Sequence, residues 1–231
     1  MNLRIIISLF PNSILEIFKS LAYLSLKLIW WVKLKKDYKD MKIILDTETT
    51  GLHSDKNTLL QLSIIDDTNK ILFNEYFKPT SEHFAGPLLE DWKIAATING
   101  ITPERVQNSL SLDSYRDEIQ SILNQADEIL IYNANFDVGF MKSHGFIFKD
   151  STKITDVMKE FSVYKLKNKR FKLSDAASEF NFSFSAHDSL EDVKATLVVH
   201  NGVNNIFNKN IFFKYFYYII KIYFKYFKKV K

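Results

Sequence analysis

Lys42-Ile43-Ile44-Leu45-Asp46-Thr47-Glu48-Thr49-Thr50-Gly51-Leu52 begins as a short apolar run and ends in two carboxylates. The apolar part, residues 42–46, reads as a buried strand. On an extended chain residues two apart point to the same side, so Asp46 and Glu48 share a face. Two such charges about 4 Å apart, at an effective dielectric of about 20, repel by roughly 4 kcal/mol. A divalent cation relieves that repulsion, and carboxylate oxygens suit Mg²⁺ or Mn²⁺. The first expectation is a metal site at the end of a central strand.

The surrounding pattern supplies layers for such a strand. Residues 59–66 and 70–77 read as two further strands, turned at Asp66-Asp67-Thr68-Asn69. Pro79 and Pro87 mark a loop region, and residues 88–96 and 113–125 read as helices. Glu128 to Tyr132 reads as a short apolar strand and Lys153 to Thr155 as a fifth. Phe136 to His144 reads as a helix ended by Gly145. Residues 156–164, 173–180 and 188–207 complete the helices. Three strands followed by alternating helix and strand predict an α/β fold with a mixed five-stranded sheet flanked by helices.

Charge divides the 231 residues unevenly. The net charge of +4 is the sum of +4 over residues 1–40, −7 over 41–205 and +7 over 206–231. An acidic body must attract a polyanion locally, through metals, a basic patch or the chain ends. The absence of cysteine excludes disulfides and thiolate metal sites. Residues 1–40 read as an amphipathic helical extension, with Ser13-x-x-Glu16 as a capping box and Trp30-Trp31 near its end. Lys19 and Lys27 interrupt it, which argues against a spanning helix and leaves two readings, a peripheral membrane contact or a helix packed on the body or a partner. In the tail 206–231, Lys214, Lys221, Lys225 and Lys228 make one helical stripe among aromatic residues. The body 41–205 is expected in the cytoplasm, the two ends being its route to membrane association.

Two later segments bear on the carboxylate pair. Asn133-Ala134-Asn135-Phe136-Asp137 follows the fourth predicted strand, with Phe136 packing inward and Asp137 facing out at the start of a helix. His187-Asp188-Ser189-Leu190-Glu191-Asp192 precedes an apolar stripe of Leu190, Val193 and Leu197, which turns Asp192 toward the sheet. On a continuous helix His187 and Asp192 would stand about 140° apart. They converge only if His187 sits before the helix and folds back, with Asp188 or Ser189 as cap.

In this order the three segments resemble the DEDDh 3′–5′ exonuclease family, which includes the proofreading subunit of replicative DNA polymerase. The resemblance extends through Thr49-Thr50-Gly51-Leu52, Asn99-Gly100-Ile101-Thr102 and Thr155-Asp156, across about residues 42–205. It implies an RNase H-like fold and hydrolysis of phosphodiesters at a single-stranded 3′ end, DNA before RNA. It implies two divalent cations, Mg²⁺ or Mn²⁺, with Asp46, Glu48, Asp137 and Asp192 as ligands and His187 as general base. Thr47, Gly51, Leu52, Asn99, Asn133 and Phe136 would meet the substrate. Proofreading relatives often carry His where Asn99 stands, so a phosphate contact there is not carried over. A polymerase is the implied partner. The competing readings are an exoribonuclease and a non-catalytic module tethering a polymerase or membrane. Finally, Lys165, Lys167, Lys169, Arg170 and Lys172 cluster around Phe171, either to steer a strand or as a solvated loop.

Overall fold

The computed structural model describes residues 40–206, so the readings for the helical extension and the basic tail lie outside the described residues. The first strand, β1 (Lys42–Thr49), runs three residues beyond its apolar part because Thr47, Thr49 and Thr50 are buried as well. It pairs antiparallel with β2 (Leu59–Asp66), which pairs with β3 (Ile71–Tyr76). The other edge of β1 pairs parallel with β4 (Glu128–Ile131), and β4 with β5 (Lys153–Asp156). The sheet order β3-β2-β1-β4-β5 makes the expected mixed five-stranded sheet, with β1 at its centre.

The helices are α1 (Gly86–Asn99), α2 (Pro103–Val106), α3 (Arg116–Gln125), α4 (Ala134–Ser143), α5 (Val157–Tyr164), α6 (Leu173–Ser178) and α7 (residues 189–206). Pro87, read from sequence as a loop marker, instead stands in the first turn of α1, where its missing N–H costs nothing. The helix ends at Gly100, whose φ of 68° suits a residue without a Cβ. Residues 113–115, expected to open the helix 113–125, instead belong to a 3-10 turn (Leu112–Tyr115) ahead of α3, and α2 had no counterpart in the helices read from sequence.

Alternation along β1 separates two cores. Ile43 and Leu45 join Ile129, Ile131, Phe140 and Met141 on the face covered by α3 and α4. Ile44 joins Val157, Phe161, Ala177, Val193 and Leu197 on the face covered by α5, α6 and α7. Asp46 and Glu48 continue the Ile44 face, and Thr47 continues the Leu45 face. Parallel pairing of β1 with β4 stops at Ile44–Leu130, although β1 extends to Thr49. A crevice therefore opens beside Asp46–Glu48 at the carboxyl end of β4, the place where open α/β sheets bind ligands. Among the described residues, no helix is long and apolar enough to cross a membrane.

Candidate active site

Asp137 enters the crevice from the fourth residue of α4. It is 2% exposed, so the reading that it faces out is corrected. Its Oδ1 accepts from the Thr47 N–H at 3.0 Å and the Thr47 hydroxyl at 2.8 Å. That N–H is available because β4 has already ended. The α4 entry turns sharply at Asn133, which has φ 69°. Asn tolerates this left-handed region better than most residues.

The third segment folds back at His187, with φ 68°. Asp188 caps α7, its Oδ1 accepting from the N–H of Leu190 at 3.0 Å and of Glu191 at 3.4 Å. Asp192, one turn on, takes the His187 N–H on Oδ2 at 3.2 Å. The Ser63 and Ser189 hydroxyls, 2.6 Å apart, tie the start of α7 to β2 directly opposite Asp46. The convergence of His187 and Asp192 therefore occurs through a turn before the helix. One ligand atom each from Glu48, His187 and Asp192 lies within 4.8 Å of the others.

Electrostatics bind Asp46 and Asp137 to the same group. Burial holds the Asp46 carboxyl well above its ordinary range, and the charges of Asp137, Asp192 and Glu48 add to it. Burial, with Asp192 beside it, raises Glu48 to about 8, although a hydrogen bond from the Asn99 amide pulls the other way. Burial raises Asp137 to about 7 against the two bonds from Thr47. Asp192 is likewise lifted by burial to about 7, against its bond from His187. Its second oxygen, Oδ1, is buried with no hydrogen-bond partner. Four crowded carboxylates, one orphaned oxygen and an exposed imidazole make a hard, mostly oxygen donor set that fits divalent cations.

The site lies in a cleft of about 1020 Å³ that Asp46, Glu48, Asp137, His187 and Asp192 all line, while Asp188 stays outside as a cap. Of the expected substrate contacts, Gly51, Leu52, Asn99, Asn133 and Phe136 line it too, and Leu52 is 76% exposed. Gly51 admits no side chain, because a Cβ there would sit 2.6 Å from Asn57 Oδ1. Thr47 also reaches the cleft, but its hydroxyl is buried against Asp137. Asn99 is fixed on three sides: Nδ2 donates to the Thr49 carbonyl at 3.1 Å, Oδ1 accepts from Ile101 N–H at 3.0 Å, and the amide meets Glu48. Sequence reasoning missed Tyr132, and the exposed Ile94 and Ile98 that stand one turn apart on α1, all of which line the cleft. The available signal was that α1 is apolar on more than its Trp92 face.

The family model for exonucleases of the RNase_T type matches residues 43–199, about two thirds of the chain. The chain is 28% identical over 180 residues to an uncharacterised exonuclease of Escherichia phage 186, covering 71% of this chain and 88% of that protein. It is 31% identical to the DNA polymerase III epsilon subunit of Pasteurella multocida over 109 residues, 43% of this chain and 40% of that subunit. RNA exonuclease 4 of Candida glabrata is 24% identical across 72% of this chain and 61% of its own length. Among solved structures, E. coli exonuclease I in complex with a dT13 oligonucleotide superposes with a TM-score of 0.59 at 19% identity. That superposition covers 78% of this chain and 44% of that one, and shares the fold. The chain thus spans less than half of the epsilon subunit and of exonuclease I. With the fold, the ordered carboxylates and the family match in agreement, the chain belongs to the RNase_T exonuclease family, in the DEDDh group of RNase H-like nucleases.

Proposed function

We propose that this exonuclease is metal-dependent and works in the 3′–5′ direction, hydrolysing the terminal phosphodiester of single-stranded DNA and releasing nucleoside monophosphates. The observation that carries this reading is the meeting of Asp46, Glu48, Asp137, Asp192 and His187, from three distant segments, in one cleft. Asp46, Glu48, Asp137 and Asp192 would hold two divalent cations. When bound, these supply charge stabilisation for the attacking and leaving oxygens of the phosphodiester. Thr47 holds the Asp137 carboxyl in place, and Asn99 holds that of Glu48. His187, exposed at the cleft mouth, takes the proton of the attacking water, a task suited to imidazole near neutral pH. Leu52, Ile94 and Ile98 give the terminal base an apolar surface.

Digestion of 5′-labelled single strands with Mn²⁺ tests the proposal. The expected pattern is a ladder shortening from the 3′ end, abolished by chelator and by Asp46→Asn. His187→Ala should retain a trace, because loss of a general base typically costs about 10²–10⁴-fold. Activity persisting in excess chelator, or immediate release of the 5′ label as a mononucleotide with no ladder, refutes the reading. RNA is the second substrate, favoured by the similarity to RNA exonuclease 4. Matched DNA and RNA strands rank the two. A polymerase partner has support from the epsilon similarity; co-purification with a polymerase is its test.

A further inference from the structure

The basic segment after α5 is held in place at its backbone. The Lys167 N–H donates to the Ser162 carbonyl at 3.0 Å, and the Ser162 hydroxyl donates to the Lys169 carbonyl at 2.9 Å. The Tyr132 hydroxyl donates to the Phe171 carbonyl at 3.0 Å. Tyr132 directly precedes the Asn133 turn that delivers Asp137, so the segment is anchored to the strand end that builds the site. Phe171 packs edge-on to Phe161 at 5.1 Å between centroids. A solvated, freely moving loop is not what these contacts describe.

Its cations divide into two groups. Lys165 pairs with Glu179 at 3.0 Å, and Lys169 lies 4.6 Å from the centre of the Phe171 ring. Lys167, Arg170 and Lys172 are exposed, and among the described residues no ion pair engages them. Arg170 and Lys172 line the same cleft as Asp137 and His187. Elsewhere the body is strongly acidic: of its 17 basic residues five fall in this eight-residue segment, against 24 acids over residues 41–205. Among the described residues, the only Lys or Arg side chains a polyanion meets in the cleft therefore come from this segment.

We propose that Lys167, Arg170 and Lys172 form a phosphate track for the part of a single strand upstream of the reacting nucleotide. The inference rests on the nuclease reading and adds how the substrate beyond its last nucleotide is held. The track binds backbone phosphates of DNA or RNA and reads no base edge. Its energy is electrostatic, so it has a salt signature: each neutralised phosphate of a single strand contributes about 0.7 to the slope of log affinity against log salt.

The test measures binding by the full chain of a fluorescein-labelled twelve-nucleotide oligothymidylate, and of the matching oligouridylate, in EDTA across 50–200 mM salt. The variant carries Lys167→Gln, Arg170→Gln and Lys172→Gln. A charge-matched control carries Lys70→Gln, Lys142→Gln and Lys149→Gln, all exposed and outside the cleft. The expected result is a slope shallower by about 2 for the loop variant and unchanged for the control. A loop slope equal to wild type, or a control lowered as much, overturns the track. A shift with oligouridylate alone or oligothymidylate alone also overturns it, because phosphates are common to both. Hydrolysis of the p-nitrophenyl ester of thymidine 5′-monophosphate, with Mn²⁺, is measured alongside. A wild type inactive on the ester, with the slope difference intact, refutes the nuclease chemistry and leaves the track standing.

Discussion

Removing one carboxylate from the site should stabilise the protein when no metal is present, and Asp137→Asn is the cleanest such change. The Asn side-chain oxygen can still accept from the Thr47 N–H and hydroxyl, so packing and hydrogen bonds persist while the charge goes. In the folded protein burial raises the Asp137 carboxyl from 3.8 to about 7. Its folded-state value lies above its unfolded one. Its contribution to stability is therefore fully present below about pH 4 and is lost as pH rises through about 7. Each unit is about 1.36 kcal/mol, which puts an upper bound of about 4 kcal/mol on the cost of ionising this group alone at pH 8. Asp46, Glu48 and Asp192 are raised in the same direction and share the burden, and the cleft is open to water. We expect about 1–3 kcal/mol for the single substitution, or roughly 3–9 °C in Tm for a domain of this size.

The assay is thermal unfolding in EDTA at pH 5, 6.5 and 8, with and without Mg²⁺. The variant should melt above wild type at pH 8, and the gap should close toward pH 5. Excess Mg²⁺ should raise the wild-type Tm more than the variant's, because binding to the folded state alone stabilises it. A variant that melts at or below wild type at pH 8 in EDTA would refute the argument. So would a gap that does not change with pH, since that would trace the effect to packing and not to charge.

Asn99→Ala should weaken Mn²⁺ binding about 10–100-fold, measured by calorimetry on protein with an unchanged circular dichroism spectrum, because Glu48 loses the amide that orients it. Asp188→Ala should cost about 1 kcal/mol in urea unfolding through loss of the α7 cap, and Asp188→Asn should restore most of it. Gly202→Ala should destabilise by about 1–3 kcal/mol despite the better helix propensity of alanine. A Cβ at that position meets the Phe180 ring at 2.3 Å, and the same urea titration reads the sign.

What the sequence made legible was local, and what it hid was made by distance. The apolar run before Asp46 and the two-residue spacing to Glu48 place both carboxylates on one face without any tertiary knowledge. The end of β1 was hidden because threonines, not aliphatics, carry it into the interior, where Thr47 and Thr49 are each 5% exposed. The burial of Asp137 was hidden for a related reason. Its partner, Thr47, lies 90 residues away, and the N–H it accepts from is free only because β4 stops short. A helix start with an acidic residue in its first turn looks alike whether that residue faces water or a strand end. His187 and Asp192 were legible as a pair that needed a turn, and the turn exists because a non-glycine residue accepts φ 68°. Such a conformation costs about 1–3 kcal/mol and persists only where its surroundings over-determine it. Here the Asp188 cap and the Asp192 carboxylate do so from the helix side, and the Ser63–Ser189 contact does so from the sheet.

The same contact ties α7 to the strand register on which the whole site depends. Side chains alternate along a strand, so a slip of one residue between β1 and β2 would send Asp46 and Glu48 to the α4 face and Thr47 to the α7 face. Asp137 would then meet carboxylates in place of a hydroxyl and an N–H, and Asp192 would face threonine. The observed pairing of Asp46 with Ser63, and of Ser63 with Ser189, fixes α7 and the carboxylate strand to the same residue of β2. Ser63→Ala removes that shared reference without removing any charge. If register is set there, the variant should keep its sheet content yet bind Mn²⁺ more weakly. If the aliphatic packing of Ile43, Ile44 and Leu45 sets it alone, metal affinity should not change.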